Sequence, residues 1–386
     1  MSIARPPFPS PQPLSPYGNL SPPSPCTTTR RCSYCDFAIA VRRETPSGAY
    51  RDAVLREWHS WQGDAVWHGN PTVRTIYFGG GTPSRLDPTA LAAIIHRVRQ
   101  DRSVAVDAEV TMEANPDYVT PDRARAWVDA GVNRISLGVQ SFDPAVLAWM
   151  HREHSVAQVG QAVAALRGAG IANLSLDLIY AVPGDLGRDW ERDLDLALAL
   201  EPEHLSLYGL TIEPGTPLFR WTRRGEAVAA PDDRAAGEYL RAQERLDQSG
   251  YRAYEVSNAA RPGFHSRHNS AYWQQATFLG LGPSAHGGTA SARWWNVREW
   301  AEYLRRSEAG ETLQAGREEL DPVARQLEAL YLGLRTTAGV PAGRVPVAMA
   351  ERWLAEGWAT LGEGHLRLTP HGWLRLDALV SAVPDP

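Results

Sequence analysis

The sequence predicts an α/β fold: a partial TIM-type barrel of parallel strands, then a mixed α/β extension and a small C-terminal helical domain. Apolar, β-branched runs alternate with helix-forming segments between Val73 and Ile212, which is the pattern of βαβ units. Aspartate–proline or threonine–proline pairs open several of the helical segments. All three cysteines lie between Cys26 and Cys35, ahead of the first unit.

Five strands are predicted after the cysteines, and each is a short apolar run. They are Val73–Phe78, Ala108–Glu113, Val132–Val139, Ile171–Val182 and His204–Ile212. The predicted helices between them are Pro88–Gln100, Pro121–Ala130, Val156–Arg167 and Arg188–Leu200. Helix starts are indicated at Asp87-Pro88, Thr120-Pro121 and Asp143-Pro144, and helix ends at Gly131 and Gly170. Because the strands are so apolar, we expect both faces of the sheet to be buried.

The chain divides into four predicted segments. Residues 1–25 contain nine prolines and five serines, so we expect them to be disordered or extended, and the first barrel strand to be missing or displaced. Residues 26–230 are assigned to the barrel and its cysteine loop, and residues 231–315 to the mixed extension. Residues 316–386 are assigned to a helical, winged-helix-like domain, because a helix over Pro322–Leu334 precedes a short Leu366–Leu368 strand.

Composition excludes several classes of function. A formal net charge of −5 provides no electrostatic footprint for nucleic acid, so we expect no nucleic-acid partner. No apolar run approaches the ~18 residues of a membrane span, and the N-terminus lacks the apolar stretch of a secretory signal. We therefore expect a cytoplasmic protein without a membrane span.

The cysteines are the strongest chemical signal. Cys26, Cys32 and Cys35 are three in number and closely spaced, which argues against a disulfide framework. Thiolates suit zinc or iron–sulfur clusters, but a structural zinc site requires a fourth ligand and the chain has no fourth cysteine. Three thiolates on a four-iron cluster leave one iron open to an outside ligand. A [4Fe–4S] cluster is the favoured interpretation; a Cys3His zinc site and three incidental cysteines are the alternatives.

A glycine-rich loop, Gly79–Ser84, follows the first predicted strand, and glycines let backbone approach a ligand closely. This loop and Cys32–Phe37 together resemble the radical S-adenosylmethionine superfamily. Two further segments, Gly131–Phe142 and Asp177–Tyr180, are similar to the coproporphyrinogen oxidase-like branch of that superfamily. Four more are similar to the HemW-type heme chaperones within that branch: Tyr254–Asn258, Ser266–Trp273, Gly280–Gly287 and Arg293–Asn296.

The resemblance implies roles for particular residues. Cys26, Cys32 and Cys35 would hold the cluster, although five residues separate the first two cysteines where the family has three. S-adenosylmethionine would contact Gly80, Gly81, Thr82, Glu113, Gln140, Arg152 and Asp177. Carboxylates can bind ribose hydroxyls or an ammonium group, and an arginine can pair with a carboxylate. Without the resemblance to the family, a role as a strand-end cap or a surface ion pair would explain Glu113 and Asp177 as well as a cofactor contact does.

The Ser266–Trp273 segment implies a heme ligand. Histidine is a common axial ligand of heme iron, so His268 is the candidate, with His265 and His286 as weaker ones. Trp273, Trp294 and Trp295 are candidate apolar walls for a porphyrin. The alternative for His268 is an ordinary hydrogen-bonded histidine in a loop.

The implied function is that of a heme chaperone, which binds heme and transfers it to an unknown acceptor protein, including by peripheral contact with a membrane-bound acceptor. The alternative is an oxygen-independent coproporphyrinogen III oxidase, which decarboxylates propionates through a 5′-deoxyadenosyl radical; a radical enzyme with another substrate is a third candidate. The oxidases have a further cysteine just after the third, where this chain has Phe37. Phe37 and the His268-Asn269 pair therefore favour the chaperone.

Overall fold

The structure is a computed structural model. It describes residues 31–36 and 44–384 and the backbone of residues 18–21, 23–24, 27–28 and 40–41. Cys26 and Phe37 lie outside the described residues.

The strands and helices of these residues are as follows. The strands are β1 Gly18–Ser21, β2 Pro23–Ser24, β3 Thr27–Thr28, β4 Ala40–Val41, β5 Val73–Gly80, β6 Val104–Ala114, β7 Arg134–Gln140, β8 Leu174–Tyr180, β9 His204–Gly209, β10 Arg252–Glu255, β11 Asn258–Ala260, β12 Phe278–Gly280, β13 His286–Gly288, β14 Ala292–Asn296, β15 Gln314–Glu319, β16 Val340–Pro341, β17 Ala359–Gly362 and β18 His365–Leu368. The α-helices are α1 Ser47–Ser60, α2 Pro88–Asp101, α3 Pro121–Ala130, α4 Pro144–Trp149, α5 Val156–Gly168, α6 Trp190–Ala199, α7 Pro217–Arg223, α8 Asp232–Gln248, α9 Arg267–Trp273, α10 Trp300–Ala309, α11 Pro322–Leu334, α12 Val347–Ala355, α13 Pro370–Trp373 and α14 Leu376–Ser381.

One curled sheet forms the centre of the molecule, in the strand order β10-β11-β9-β8-β7-β6-β5-β1-β12-β13-β14-β15. The strands from β1 and β5 through β9 are parallel, which confirms the predicted half-barrel. The strands beyond β9 and beyond β12 pair antiparallel, so the extension continues the same sheet at both of its edges. The division of the chain into four segments remains a prediction.

The expectation that the first barrel strand is missing or displaced is wrong. β1 pairs in parallel with β5 on one side and with β12 on the other, so it completes the row of parallel strands. The reason is that Gly18–Ser21 is a proline-free run between Pro16 and Pro22, long enough for a short strand. The predicted effect of the prolines holds for longer strands but not for four residues.

The predicted helix starts and ends are confirmed. The Asp87, Thr120 and Asp143 side chains accept hydrogen bonds from backbone N–H groups of the first turns that follow them. Gly131 ends α3 in the left-handed conformation, with φ +100°. The helices pack their apolar faces on the outer face of the sheet, where a single large core contains residues such as Ile94, Trp127 and Leu166.

The inner face of the half-barrel differs from the expectation, because it is polar. Alternate residues of β5 and β6 point inward, among them Thr75, Tyr77, Glu109 and Glu113. The strands are buried on both faces, as expected, but only their outer faces are apolar. The lumen is therefore lined by groups that can bind ligands or one another. The C-terminal residues form a second, smaller core around β16–β18.

Candidate cofactor-binding site

The cysteine loop, residues 31–36, is fixed at the carboxyl ends of the parallel strands. The Ser33 N–H donates to the Met150 carbonyl (3.1 Å), and the Leu218 N–H donates to the Ser33 carbonyl (2.8 Å). Ser33 is thereby buried between the segments that follow β7 and β9, while Cys32 and Cys35 on either side are half-buried. The loop presents two of the three predicted cluster ligands from an anchored backbone.

Arg152 lies beside this loop. Its Nη1 is 3.7 Å from the Cys32 sulfur, and its Nη2 donates to the Asn115 side-chain oxygen (2.8 Å) and to the Gly138 carbonyl (2.7 Å). The buried Nε has no hydrogen-bond partner among the residues that the structure describes. The guanidinium is therefore held in place with a donor still available, as a binding site for a carboxylate requires.

Gln140 reaches the same place through a distortion of its strand. The β7–β8 register shifts between Gly138 and Gln140, and Gln140 has a φ of +69°, which is rare for a residue other than glycine. Its amide nitrogen consequently turns back toward Gly138, to 2.8 Å from the position that a Cβ atom there would occupy. A Cβ atom at position 138 would displace Gln140 and would come into contact with Arg152.

The glycine-rich loop is hydrogen-bonded to Glu113. Gly80 has a φ of +102°, and its N–H donates to Glu113 Oε2 (3.1 Å). Glu113 Oε1 accepts a hydrogen bond from the Tyr77 hydroxyl (2.6 Å). Burial, with a smaller contribution from Asp177, raises the pKa of Glu113 to about 7. Gly81 and Thr82 continue the loop, and Thr82 is buried.

Asp177 lies on the neighbouring part of the same inner surface. It accepts hydrogen bonds from the Ser136 hydroxyl (2.9 and 3.0 Å) and the Ser175 hydroxyl (3.2 Å). Burial raises the pKa of its carboxyl, and these hydroxyls oppose that rise. Ser136 is also the β-sheet partner of Glu113, so the two carboxylates line one surface across β6, β7 and β8. Neither forms an ion pair with a described residue, which disfavours the surface-ion-pair alternative.

These residues fit the cofactors that the sequence suggests. Two half-exposed thiols, a buried arginine, a glycine loop and two buried carboxylates converge at one edge of the sheet. Cys32 and Cys35 would hold the cluster. The loop Gly80–Thr82, with Glu113, Gln140, Arg152 and Asp177, would hold S-adenosylmethionine. The role of Cys26 remains a prediction, because Cys26 lies outside the described residues.

His268 lies apart from this edge, inside the half-barrel. It is 1% exposed and belongs to α9, whose first N–H groups donate to the Glu109 carboxylate in the middle of β6. Its Nδ1 is hydrogen-bonded to the Thr75 hydroxyl (2.8 Å), and its Nε2 to the Tyr272 hydroxyl (2.9 Å). Burial, aided by the positive charge of Arg134, lowers its pKa to about 3 and keeps the ring neutral. A heme iron could bind this imidazole only after α9 had moved.

The other heme candidates differ in environment. His265 is exposed and stacks on Tyr254, with ring centres 4.3 Å apart, and His286 is exposed on β13. Trp294 is buried against Trp61 in the core, so it is not available as a porphyrin wall. Trp273 is half-buried and lies under the Arg335 guanidinium.

Sequence reasoning missed several residues of the inner surface. Tyr77 is hydrogen-bonded to Glu113, and Asn115 is hydrogen-bonded to Arg152. Glu109 fixes α9 inside the barrel. A signal was present, because Thr75, Tyr77 and Gly79 alternate with apolar residues in β5. That period of two marks a strand face that is not part of the apolar core.

Comparisons with known proteins agree with this geometry. The family model of the radical SAM superfamily matches residues 27–197. The coproporphyrinogen III oxidase HemN of Escherichia coli, a radical SAM enzyme, has the same fold, with a TM-score of 0.78 over 96% of this chain and 90% of that one. Because the two sequences are 19% identical, this comparison shows the fold and carries no conclusion about activity. The chain is thus a member of the radical SAM superfamily.

Two relatives with higher sequence identity show to which family of this superfamily the chain belongs. The heme chaperone HemW of Mycobacterium tuberculosis is 38% identical over 378 residues, which are 96% of this chain and 95% of that protein. The heme chaperone HemW of Synechocystis is 38% identical over 82% of this chain and 78% of that protein. The chain belongs to the HemW family. No helix in the described part of the chain is long and apolar enough to cross a membrane.

Proposed function

We propose that this protein is a heme chaperone that binds heme and transfers it to an acceptor protein, and that it carries a [4Fe–4S] cluster and S-adenosylmethionine. The observation that carries the proposal is the 38% identity to the mycobacterial heme chaperone along nearly the whole of both chains. The oxidase alternative is supported by likeness of fold, at 19% identity.

The cofactor site supports the binding part of the proposal. A cluster and S-adenosylmethionine bound together supply one-electron reduction chemistry. Arg152 and Gln140 would orient the amino-acid end of S-adenosylmethionine toward Cys32, since both side chains lie beside Gly138 and Arg152 also reaches the Cys32 thiol. Glu113 and Asp177 face the same surface as hydrogen-bond acceptors for hydroxyl groups.

Heme binding would use His268 as the iron ligand. The imidazole is neutral, which is the form that ligates iron, but it is enclosed by Thr75 and Tyr272. Binding would require α9 to open from the barrel, and Trp273 at the end of that helix would move with it. We place the protein in the cytoplasm, with transfer to an acceptor that is soluble or at a membrane surface.

Two assays on anaerobically reconstituted protein separate the proposal from its alternative. The chaperone should develop a Soret band that saturates at a defined heme-to-protein ratio and should leave coproporphyrinogen unchanged. The oxidase would release carbon dioxide from coproporphyrinogen when S-adenosylmethionine and an electron donor are present. Turnover without saturable heme binding would refute the chaperone assignment.

A further inference from the structure

Tyr77 lies between the two sites discussed above. One face of its ring stacks on the His268 imidazole, with ring centres 4.7 Å apart and planes 15° from parallel. Its hydroxyl donates to Glu113 Oε1 at 2.6 Å, and Glu113 Oε2 accepts from the Gly80 N–H. A continuous series of contacts therefore runs from α9 to the glycine loop.

The space around Tyr77 makes these contacts interdependent. A Cβ atom at Gly79 would overlap the Tyr77 ring and would lie 2.8 Å from Glu113 Oε1. The loop backbone is thus packed directly against both side chains. A shift of the Tyr77 ring would therefore change both its contact with the loop backbone and its hydrogen bond to Glu113.

Heme binding would produce such a shift. The His268 ring is 1% exposed, so its nitrogen can reach a heme iron only if the ring leaves the barrel with α9. Its departure removes the stacked partner of Tyr77 and breaks the hydrogen bond to Thr75. The Tyr77 hydroxyl, which fixes the Glu113 carboxylate, can then turn away, and the Gly80 loop loses its orientation.

We propose that Tyr77 is a positioning residue through which S-adenosylmethionine and heme bind with negative linkage. S-adenosylmethionine favours the closed arrangement in which α9 fills the barrel, and heme on His268 favours the open one. By reciprocity each ligand lowers the affinity of the other by the same factor. S-adenosylmethionine then acts as a release signal for heme. This inference rests on the proposed function.

The test uses Tyr77→Phe, which keeps the ring on His268 and removes the hydroxyl that reaches Glu113. Heme affinity is measured from the Soret band of cluster-loaded protein, with and without saturating S-adenosylmethionine. In the wild type we expect S-adenosylmethionine to weaken heme binding at least about fivefold, the lower end of typical coupling. In Tyr77→Phe the heme affinities measured with and without S-adenosylmethionine should be equal. An unchanged ratio in the variant, or equal affinities in the wild type, would overturn the inference.

A second arm needs no heme and separates failure of this inference from failure of the proposed function. His268→Ala should weaken S-adenosylmethionine binding in calorimetry, because Tyr77 loses its stacked partner. The same substitution made in the Tyr77→Phe protein should have no further effect. His265→Ala is the matched control and should leave the affinity unchanged. If His268→Ala acts equally in both backgrounds, or does not act at all, Tyr77 is not the link even if heme binds.

Discussion

Gly80→Val tests the assignment of the S-adenosylmethionine loop. Gly80 has a φ of +102°, and a residue with a Cβ atom in such a conformation costs about 1–3 kcal/mol. The valine loop should relieve this strain by turning, which breaks the Gly80 N–H bond to Glu113. Restoring the binding conformation then costs the same energy, so we expect S-adenosylmethionine affinity to fall about 5-fold to 150-fold.

The assay is calorimetric titration of cluster-loaded protein, with iron content measured on the same samples. Gly160→Val is the matched control, because Gly160 lies in α5 and a Cβ there meets nothing within 4 Å. The control should keep wild-type affinity, and both variants should keep wild-type iron content. Equal affinities for Gly80→Val and Gly160→Val would remove this loop from the site.

Three further predictions concern the cluster and the stability of the fold. Cys32→Ala should abolish the iron–sulfur absorption, and Cys26→Ala should do the same if its longer loop reaches the cluster; about four irons per chain in Cys32→Ala would contradict the three-thiolate assignment. Burial raises the pKa of Glu57 to about 7 from 4.5, so its contribution to stability is full below pH 4.5 and is lost as the pH rises to 7. The difference in unfolding free energy between wild type and Glu57→Gln should therefore shift by about 3 kcal/mol across that range, and a constant difference in denaturant titrations would refute the burial argument. Arg188→Met removes the buried guanidinium that lies 2.7 Å from the Glu238 carboxylate, which keeps Arg234 as a second partner at 2.8 Å, so the free energy of unfolding should fall by about 1.5–3 kcal/mol, whereas the exposed Arg245→Met should cost at most about 1; similar losses in chemical denaturation would count against this reasoning.

Local signals predicted most of the barrel. Each predicted strand between Val73 and Ile212 exists, and Pro121–Ala130 and Pro322–Leu334 begin and end as helices where their sequences indicate. Caps, proline-led first turns and apolar periodicity act within a few residues of one another, so one sequence is enough to read them.

Non-local contacts were not predictable in this way. β1 forms because β5 and β12 offer it partners, and those strands lie far along the chain. The position of α9 inside the barrel depends on the buried Glu109 carboxylate, about 160 residues upstream, which accepts the first N–H groups of the helix. Local patterns indicated a loop around His268, whereas the structure has the helix α9 there, and only the packing reveals that its imidazole contacts Tyr77.

The most direct test of the account is the spectrum of ferric heme bound to His268→Ala. Alanine offers no ligand to iron, and heme can still adhere to apolar surface, so the Soret position and the electron paramagnetic resonance signal are better readouts than affinity. We predict that both change in His268→Ala, that His265→Ala keeps the wild-type heme signals, and that the cluster spectrum is unaltered in either variant. A wild-type heme spectrum in His268→Ala would contradict the assignment, and a wild-type protein that binds no heme would contradict the chaperone function itself.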